Sequence, residues 1–355
     1  MPDFPVRQAT LADQPALFEF LRQAYPERWQ YKFPERWAWE FERNPFRGNG
    51  LPIWIALDGA RIIGQSCALI EPLILHGQET RVGWGVDFFV LPAYRGQGLG
   101  TRLQQANNAS HEVFMSLSMA AAAARIKAQI GLQTLPPIPL FTKIVQHDPA
   151  SVLATLIART HLPEVIIRRT GVHRLSASLL TAREARRARE FSPPRAGVGL
   201  TPVERFGPEA DALWQRLSPH FTALIRRDAE YLNWKYVDQP HVQYERYISE
   251  QGYVIFRRAR PPERNVGLIL DVFANPADTA TLRALLGHAI VQLQAQGIAY
   301  LQAASTLPAI QQILTAWGFK PTKTVTPMIR ATGAIPQTGW LLSKGDHDWD
   351  QFPLA

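Results

Sequence analysis

Cysteine is nearly absent from this sequence of 355 residues, which contains only Cys67. A single thiol excludes an internal disulfide framework and a cysteine-based zinc site, and it is typical of a protein of the reducing cytoplasm. No apolar run reaches the roughly 18 residues that a membrane-spanning helix needs. Acidic residues and prolines stand near the N-terminus, where a signal peptide would have a basic and then an apolar segment. We therefore expect a cytoplasmic protein with no bound metal and no membrane partner.

Signatures of nucleic-acid binding are also lacking, although the formal net charge is +8. The densest basic run, REARRARE at 183–190, mixes arginine with glutamate at helical spacing and is typical of a solvated helix face. No zinc-finger or RNA-binding motif accompanies it, so we expect no nucleic-acid partner. The hydrophobic fraction of 46% is ordinary for a globular protein, and the length predicts two domains, each with its own core.

An internal repeat lies on the two sides of a Pro/Gly-rich break, SPPRAGVG at 192–199, which we interpret as a linker. Four segments before the break match four segments after it in the same order. They are VRQATLADQPALFEFL (6–21) with VERFGPEADALWQRL (203–217), WEFERNP (39–45) with WKYVDQP (234–240), DFFVLP (87–92) with DVFANP (271–276), and RIKAQIGLQ (125–133) with QILTAWGFK (312–320). Chance does not explain four matches in one order, so we predict two diverged copies of one α/β unit.

Strand-like and helical patterns alternate within each copy. In the first copy LPIWIAL, IIGQSCALIEPLIL and TRVGWGVDFFVL are rich in β-branched and aromatic residues, which predicts strands. TRLQQANNASHEV and AAAAARIKAQI are predicted helices, the latter closed by Gly131. In the second copy ATLRALLGHAIVQLQAQG is the predicted helix after the central strand. Residues 147–198 fit neither copy and are predicted to form a helical or extended connector.

A glycine-rich segment joins the predicted central strand of the first copy to the next helix. In DFFVLPAYRGQGLGTRL (87–103), the glycines Gly96, Gly98 and Gly100 occupy three of five positions. The first-turn amides of a helix have no internal partners, and glycines allow a phosphate to approach them closely. A Walker loop requires Gly-Lys-Ser/Thr and a dinucleotide loop requires Gly-x-Gly-x-x-Gly, and neither is present. We therefore predict an anion-binding loop of another type.

This loop resembles the acetyl-CoA-binding motif of the GNAT superfamily of N-acyltransferases. The family pattern is Arg or Gln, two residues, Gly, one residue, then Gly or Ala, and RGQGLG (95–100) matches every defined position. VLPAY (90–94) and the helix-Gly-Leu-strand segment at 125–142 are also similar to the family. The resemblance covers residues 4–145 well and 200–330 as a weaker second copy.

The resemblance implies an α/β (α+β) fold of two tandem GNAT-like domains, each a mixed central sheet flanked by helices. We place a GNAT acetyl-CoA-binding domain at 1–146, a connector at 147–198, a degenerate GNAT-like domain at 199–332 and a C-terminal tail at 333–355. The second copy is called degenerate because Thr279, Leu282 and Ala284 stand where Arg95, Gly98 and Gly100 stand in the first. The bulky Leu282 is expected to block phosphate there.

The resemblance also implies how the co-substrate acetyl-CoA would bind. The central strand splays from its neighbour and offers its backbone to the pantetheine arm, and an N–H near residues 89–91 would polarise the thioester carbonyl. The residues expected to bind acetyl-CoA are Phe88, Phe89, Val90, Arg95, Gly96, Gln97, Gly98, Leu99, Gly100 and Thr101.

The implied reaction is direct attack of an amine on the thioester, which requires a base to keep the amine neutral. Asp87 on the central strand and Glu71 on the preceding strand are the candidates, with His76 as a further alternative. Asp271 occupies the place of Asp87 in the degenerate copy, which favours a structural role for the shared aspartate. The sequence therefore leaves the identity of the general base open.

Two positions depart from the family pattern. Trp84 stands where some relatives carry a catalytic glutamate, and Lys127 lies near the position where many carry a tyrosine acid. The expected function is nonetheless an N-acetyltransferase acting on a small-molecule or peptide amine. The alternatives are a CoA-binding or degenerate GNAT-like regulatory or scaffold protein, and a transferase of a larger acyl or aminoacyl group in cell-envelope or polysaccharide synthesis.

Overall fold

The computed structural model describes residues 4–117, 119–191, 199–259 and 265–349. The predicted linker at 192–199 lies outside these ranges except for Gly199, and the predicted C-terminal tail is described as far as Trp349. Among the helices described, none is long and apolar enough to cross a membrane. The same residues contain no cluster of His, Cys, Asp and Glu that could hold a metal ion.

The strands, in chain order, are β1 (Val6–Gln8), β2 (Ile53–Asp58), β3 (Arg61–Leu75), β4 (Gln78–Val90), β5 (Val113–Ser116), β6 (Gln133–Thr134), β7 (Ile138–Ile144), β8 (Thr201–Pro202), β9 (Ala223–Ile225), β10 (Glu245–Ser249), β11 (Gly252–Arg258), β12 (Val266–Ala274), β13 (Tyr300–Ala304), β14 (Lys320–Val325), β15 (Met328–Ala331) and β16 (Trp340–Leu341).

The α-helices are α1 (Gln14–Ala24), α2 (Trp29–Lys32), α3 (Glu35–Trp37), α4 (Leu99–Ala109), α5 (Ala121–Gln129), α6 (Pro149–Thr160), α7 (Glu164–Thr170), α8 (Val172–Phe191), α9 (Pro208–Leu217), α10 (Ala229–Tyr236), α11 (Thr279–Ala295) and α12 (Pro308–Ala316). Short 3-10 turns lie at Leu11–Asp13, Pro92–Tyr94 and Ser218–His220, and a π-helical turn lies at Ala38–Glu42.

The first sheet contains the central strand of the first half. Its order is β1-β2-β3-β4-β5-β15-β6, and β9 pairs with the far end of β3 while β16 pairs with β9. β3 is buried along most of its length. A strand covered on both faces needs apolar residues at successive positions, which explains the unbroken apolar run that predicted it. Helices α1 and α4 pack against β3.

The second sheet repeats this plan. Its order is β14-β7-β13-β12-β11-β10-β8, with α11 packed against β11 and β12. β12 is the counterpart of β4, and it is buried at every position. Both sheets are mixed, because β4 pairs in parallel with β5 and β12 with β13, while the other neighbours of β4 and β12 are antiparallel. The molecule therefore contains the two mixed sheets flanked by helices that the sequence predicted.

Each sheet includes strands from the other half of the chain: the second sheet takes β7, and the first takes β15 together with the short strands β9 and β16. β7, from the first half of the chain, lies between β13 and β14 of the second sheet. β15, from the second half, lies between β5 and β6 of the first sheet. The predicted domain boundaries follow the order of the chain, but each sheet is completed by a strand from the other half.

Equivalent residues of the two copies meet at the centre of the molecule. Trp39 and Trp234, which the repeat aligns, stack with ring centroids 4.8 Å apart and planes 15° apart. The indole nitrogen of Trp39 donates to the backbone oxygen of Trp234 at 2.9 Å. Contact between equivalent residues is what a two-fold axis produces. The internal repeat is thus built as a pseudo-symmetric pair.

The connector is helical in the described residues, and we name α6, α7 and α8 (149–191) the helical insertion. It has a small core of its own, which consists of Val152, Leu153, Ile167 and Ala177. None of these belongs to the main hydrophobic core. Lys143 on β7 forms an ion pair with Glu184 of α8 at 3.5 Å, which ties the helical insertion to the second sheet.

Candidate active site

A cavity opens where the two parallel strands β4 and β5 separate. They pair only through residues 82–84 of β4 and 113–115 of β5, whereas β4 continues to Val90. Beyond Trp84 one edge of β4 therefore lacks its neighbour. The cavity that fills this space has a volume of about 970 Å³ and is lined by β4, the glycine-rich loop, α5 and the C-terminal segment. This is the splay that the resemblance implied.

The glycine-rich loop brings a helix N-terminus to this cavity. Gly98 is the N-cap residue of α4, with φ of 74°, and Gly96 has φ of 78°. Only glycine adopts this left-handed backbone without steric cost. No side chain caps α4, and the space beside Gly96 and Gly98 is open. The first-turn amides of α4 are therefore available to an anionic group in the cavity.

Eight of the ten residues expected to bind acetyl-CoA line the cavity. They are Phe88, Phe89, Val90, Arg95, Gly96, Gly98, Gly100 and Thr101. Gln97 does not line it, and Leu99 is 1% exposed and packs into the core. Arg95 donates from Nε to the backbone oxygen of Val90 at 3.0 Å, and its guanidinium lies 5.1 Å from the centre of the Phe89 ring. These contacts hold the arginine at the mouth of the loop.

Asp87 also lines the cavity, but its carboxylate is occupied. It sits at a bulge in β4 with φ of 47°, and it forms an ion pair with Lys32 of α2. Burial alone would lower the pKa of Lys32, but Asp87 and Glu40 outweigh it and raise that pKa above its usual value. The Asp87 carboxylate is therefore engaged by a partner on α2, which favours a structural role for it.

The other two base candidates lie outside the cavity. Glu71 is fully buried and pairs with Lys235 of α10 at 3.2 Å, which makes an ion pair between the two halves of the chain. His76 is exposed on the turn between β3 and β4. The structure therefore brings neither of these side chains to the residues expected to bind acetyl-CoA.

The C-terminal segment supplies the titratable groups that sequence reasoning missed. His347, Asp348 and Trp349 all line the cavity. His347 Nδ1 lies 2.5 Å from Asp348 Oδ1, and the His347 ring contacts the Trp84 ring with centroids 5.4 Å apart. The predicted tail is thus part of the wall of the first domain's cavity. The run GDHDWD at 345–350, dense in acidic and aromatic residues, was the signal available in the sequence.

Contacts with the second half hold this segment in place. Gly345 N donates to Leu270 O at 2.9 Å, and Arg227 donates to both oxygens of Asp346 at 3.0 Å. Lys235 donates to the backbone oxygen of His347. All of these groups are buried, so the segment is fixed rather than a loose tail. The second half therefore positions His347 against the first.

The His347 side chain shifts the pKa of the neighbouring Asp348 carboxyl. Burial would raise the pKa of Asp348, but the neighbouring His347 outweighs it and holds this pKa below its usual range. An ionised Asp348 can only accept a hydrogen bond, and Nδ1 is the His347 nitrogen that faces it. The other ring nitrogen, Nε2, lies 3.4 Å from the backbone oxygen of Gly85, at the point where β4 and β5 separate.

Lys127 of α5 also lies close to Gly85. Its side chain is 3% exposed, and burial lowers its pKa to about 8. Nζ donates to Gln104 Oε1 at 3.0 Å and lies 4.8 Å from the centre of the Phe114 ring. A methyl group added at Gly85 would lie 2.8 Å from Nζ. The imidazole of His347 and the amine of Lys127 thus both lie near Gly85 in the wall of the cavity.

Comparison with known proteins agrees with this geometry. The family model described as "Acetyltransferase (GNAT) family" matches residues 15–107, which include β4 and the glycine-rich loop. No curated protein sequence matches the chain.

Several solved structures share the fold. A conserved Enterococcus faecalis protein described as "Probable N-Acyltransferase" aligns with a TM-score of 0.61, 12% identity and coverage of 93% of this chain and 73% of its own. A GCN5-related N-acetyltransferase from Anabaena variabilis aligns with a TM-score of 0.58, 13% identity and the same two coverages. Saccharomyces cerevisiae N-myristoyltransferase with bound myristoyl-CoA aligns with a TM-score of 0.54, 11% identity and coverage of 93% and 83%. At these identities the likeness establishes the fold alone.

Proposed function

We propose that this chain, which carries an acetyltransferase domain of the GNAT family, moves an acetyl group from acetyl-CoA to an amine. The observation that carries this proposal is one shared cavity. The open helix N-terminus at Gly98, the free edge of β4, the His347–Asp348 pair and Lys127 all face it. A protein that only binds CoA has no use for an acid and a base at the strand split, so the cluster favours an enzyme over a scaffold.

The loop and the strand would hold the co-substrate. The amides at the start of α4 suit the pyrophosphate, and Arg95 adds positive charge at the loop. The free edge of β4 at 85–90 suits the amide groups of the pantetheine arm. An N–H on this edge would also stabilise negative charge on the thioester oxygen during attack.

The floor of the cavity supports a short acyl group. Gly85 lies where β4 and β5 separate. A methyl group added to Gly85 would lie 2.9 Å from the ring of Phe114 and 2.8 Å from Lys127 Nζ. Phe114 itself is fully buried. Little space is left behind Gly85 for a chain like the myristoyl group bound by the yeast structural neighbour. We therefore favour acetyl as the transferred group.

His347 serves as the base in this proposal. The acceptor amine loses a proton to Nε2, directly or through water, and its nitrogen attacks the thioester carbon. A C–N bond forms, the C–S bond breaks, and the departing thiolate takes a proton from the Lys127 ammonium. Asp348 keeps the imidazole proton on Nδ1 and stabilises the imidazolium. Asp87 then has a structural role, as its pairing with Lys32 suggests.

The test combines binding with turnover. Calorimetry should show one acetyl-CoA per chain, and a mass-resolved screen of small-molecule and peptide amines with acetyl-CoA should yield an acetylated product. His347→Gln should then lower kcat by about 10² to 10⁴, the range for loss of a general base, with unchanged acetyl-CoA affinity. Two equivalent binding sites, or none, would refute the co-substrate assignment. Full turnover by His347→Gln would refute the assignment of the base alone.

A further inference from the structure

The helical insertion exposes more large aliphatic side chains than its small core buries. Those on its surface are Leu162 (47% exposed), Val165 (61%), Ile166 (49%), Val172 (40%), Leu175 (61%) and Leu179 (62%). They make up six of the ten large hydrophobic residues exposed in the described part of the chain. Single exposed aliphatics need no explanation, but a concentration within one segment marks an interaction surface.

Three of these residues lie on one face of α8. Val172, Leu175 and Leu179 follow the spacing of three and four residues that places side chains on one side of a helix. The buried residues His173 and Ala177 lie on another side, toward α6 and α7. Continued along the helix, the same spacing reaches Arg183 and Arg186, which are exposed.

Positive charge is concentrated in the same segment. Residues 149–191 contain eight arginines and three glutamates, a net charge of +5 out of the +8 of the whole chain. Exposed arginines are Arg159, Arg168, Arg169, Arg174, Arg183 and Arg186. Only part of this charge is balanced locally, since Arg168 pairs with Glu164 at 2.5 Å on the same helix.

We propose that the helical insertion binds the surface of an anionic phospholipid bilayer. Aliphatic side chains would enter the boundary between headgroups and acyl chains, and the arginines would pair with lipid phosphates. A second copy of the chain fits less well, because it would bring two arginine-rich surfaces together. A protein partner also fits less well, because the helical insertion contains no Trp, Tyr or Met and a single Phe, Phe191 at its end, and protein interfaces are enriched in these residues.

This proposal departs from the expectation that no membrane partner exists. That expectation rested on the lack of a membrane-spanning segment, and binding at the lipid surface requires no span. The proposal does not depend on the acetyltransferase assignment, since the helical insertion contributes no residue to the cavity.

The test is flotation of the full chain with two kinds of vesicle, phosphatidylcholine alone and phosphatidylcholine mixed equally with phosphatidylglycerol. The chain should float with the mixed vesicles only. Arg169→Ser with Arg174→Ser should weaken binding roughly 25-fold, because each basic residue at an anionic surface contributes about fivefold. Leu175→Ser with Leu179→Ser should weaken it tenfold or more through lost apolar burial.

Matched variants outside the helical insertion are the controls. Arg43→Ser with Arg61→Ser removes the same charge from exposed positions, and Leu11→Ser with Val291→Ser removes exposed aliphatics. Both controls should stay within about twofold of the unmodified chain. Acetyl-CoA affinity and melting temperature measured on every variant check folding. The proposal is overturned if neither vesicle is bound or if the controls lose as much. It is also overturned if sedimentation shows a dimer that Leu175→Ser with Leu179→Ser dissociates.

Discussion

The helix that follows the central strand begins differently in the two halves. In the first half, α4 starts after Gly98, which has no side chain, and its amides face the cavity. In the second half, α11 starts after Asp278, whose carboxylate accepts hydrogen bonds from Thr281 N at 3.0 Å and Thr281 Oγ1 at 2.7 Å. These donors hold the pKa of Asp278 below its usual range. The N-terminal amides of α4 are left open to the cavity, whereas α11 is capped by its own aspartate carboxylate.

The second half is expected not to bind CoA, but the reason that the sequence suggested for this is wrong. Leu282 was expected to block phosphate from the position of Gly98, but it is fully buried inside α11 and faces no loop. Eight residues separate the end of β4 from α4, and four separate the end of β12 from α11. The second half has replaced the glycine-rich loop with an extra helical turn, so the aligned positions are not equivalent in space.

The two aspartates that the repeat aligns, Asp87 and Asp271, show a similar contrast between the two halves. Asp87 lies at the cavity and pairs with Lys32 alone. Asp271 is sealed in the core, where Arg227 and the hydroxyl of Tyr253 both donate to it at about 3 Å. The position is kept in both halves as an anchor for a cation. Only in the first half does this aspartate also border the cavity.

The largest expected effect concerns these aspartates. Asp271→Asn should lower the free energy of unfolding by roughly 2–4 kcal/mol, because Arg227 loses a charged partner where water cannot replace it. Asp87→Asn should cost about half as much, because Glu40 still lies close to Lys32. Denaturant unfolding of both variants measures the difference. If Asp87→Asn instead removes the acidic limb of the kcat/KM profile, Asp87 is the base.

The second prediction tests the difference between the N-termini of α4 and α11. Gly98→Asp gives α4 a carboxylate of the kind found in α11, while Gly98→Asn is a neutral control that also tolerates positive φ. The aspartate should lower acetyl-CoA affinity by about 10² or more, because two charge-assisted hydrogen bonds at roughly 1.5–3 kcal/mol each are lost. The asparagine should cost less than about tenfold. Equal losses in calorimetry would mean that size and not charge decides, and no loss would make the loop only a turn.

The smallest effect concerns Lys127, which the second half does not match with a lysine. As an acid it must be protonated, so kcat should fall as pH rises through its pKa of about 8. Lys127→Met should remove this alkaline limb and lower kcat at neutral pH by about tenfold, because a thiolate leaves fairly well without an acid. A pH–rate profile of both proteins measures this. An unchanged alkaline limb in Lys127→Met would assign the titration to another group.

Local patterns carried much of what could be predicted. The long apolar run of β3, the helical period of α11 and the glycines before α4 each depend on neighbours in the chain, and all three elements formed where expected. The repeat identified Trp39 and Trp234 as equivalent residues, but it did not predict that they stack on each other. We predicted that the connector would be either helical or extended, and in the described residues it is helical.

The sequence by itself determined the two α/β units, their order and the glycine-rich turn that begins α4, because spacing, glycine content and apolar period act over a few residues. Only the tertiary structure decided the strand exchange and the composition of the cavity. His347 is separated from Gly85 by most of the chain, and it arrives there because Arg227, Lys235 and Leu270 of the second half hold its segment. No local pattern encodes contacts between buried groups that far apart in sequence. That physical reason explains why the candidate acid–base pair of this site became visible only in the folded chain.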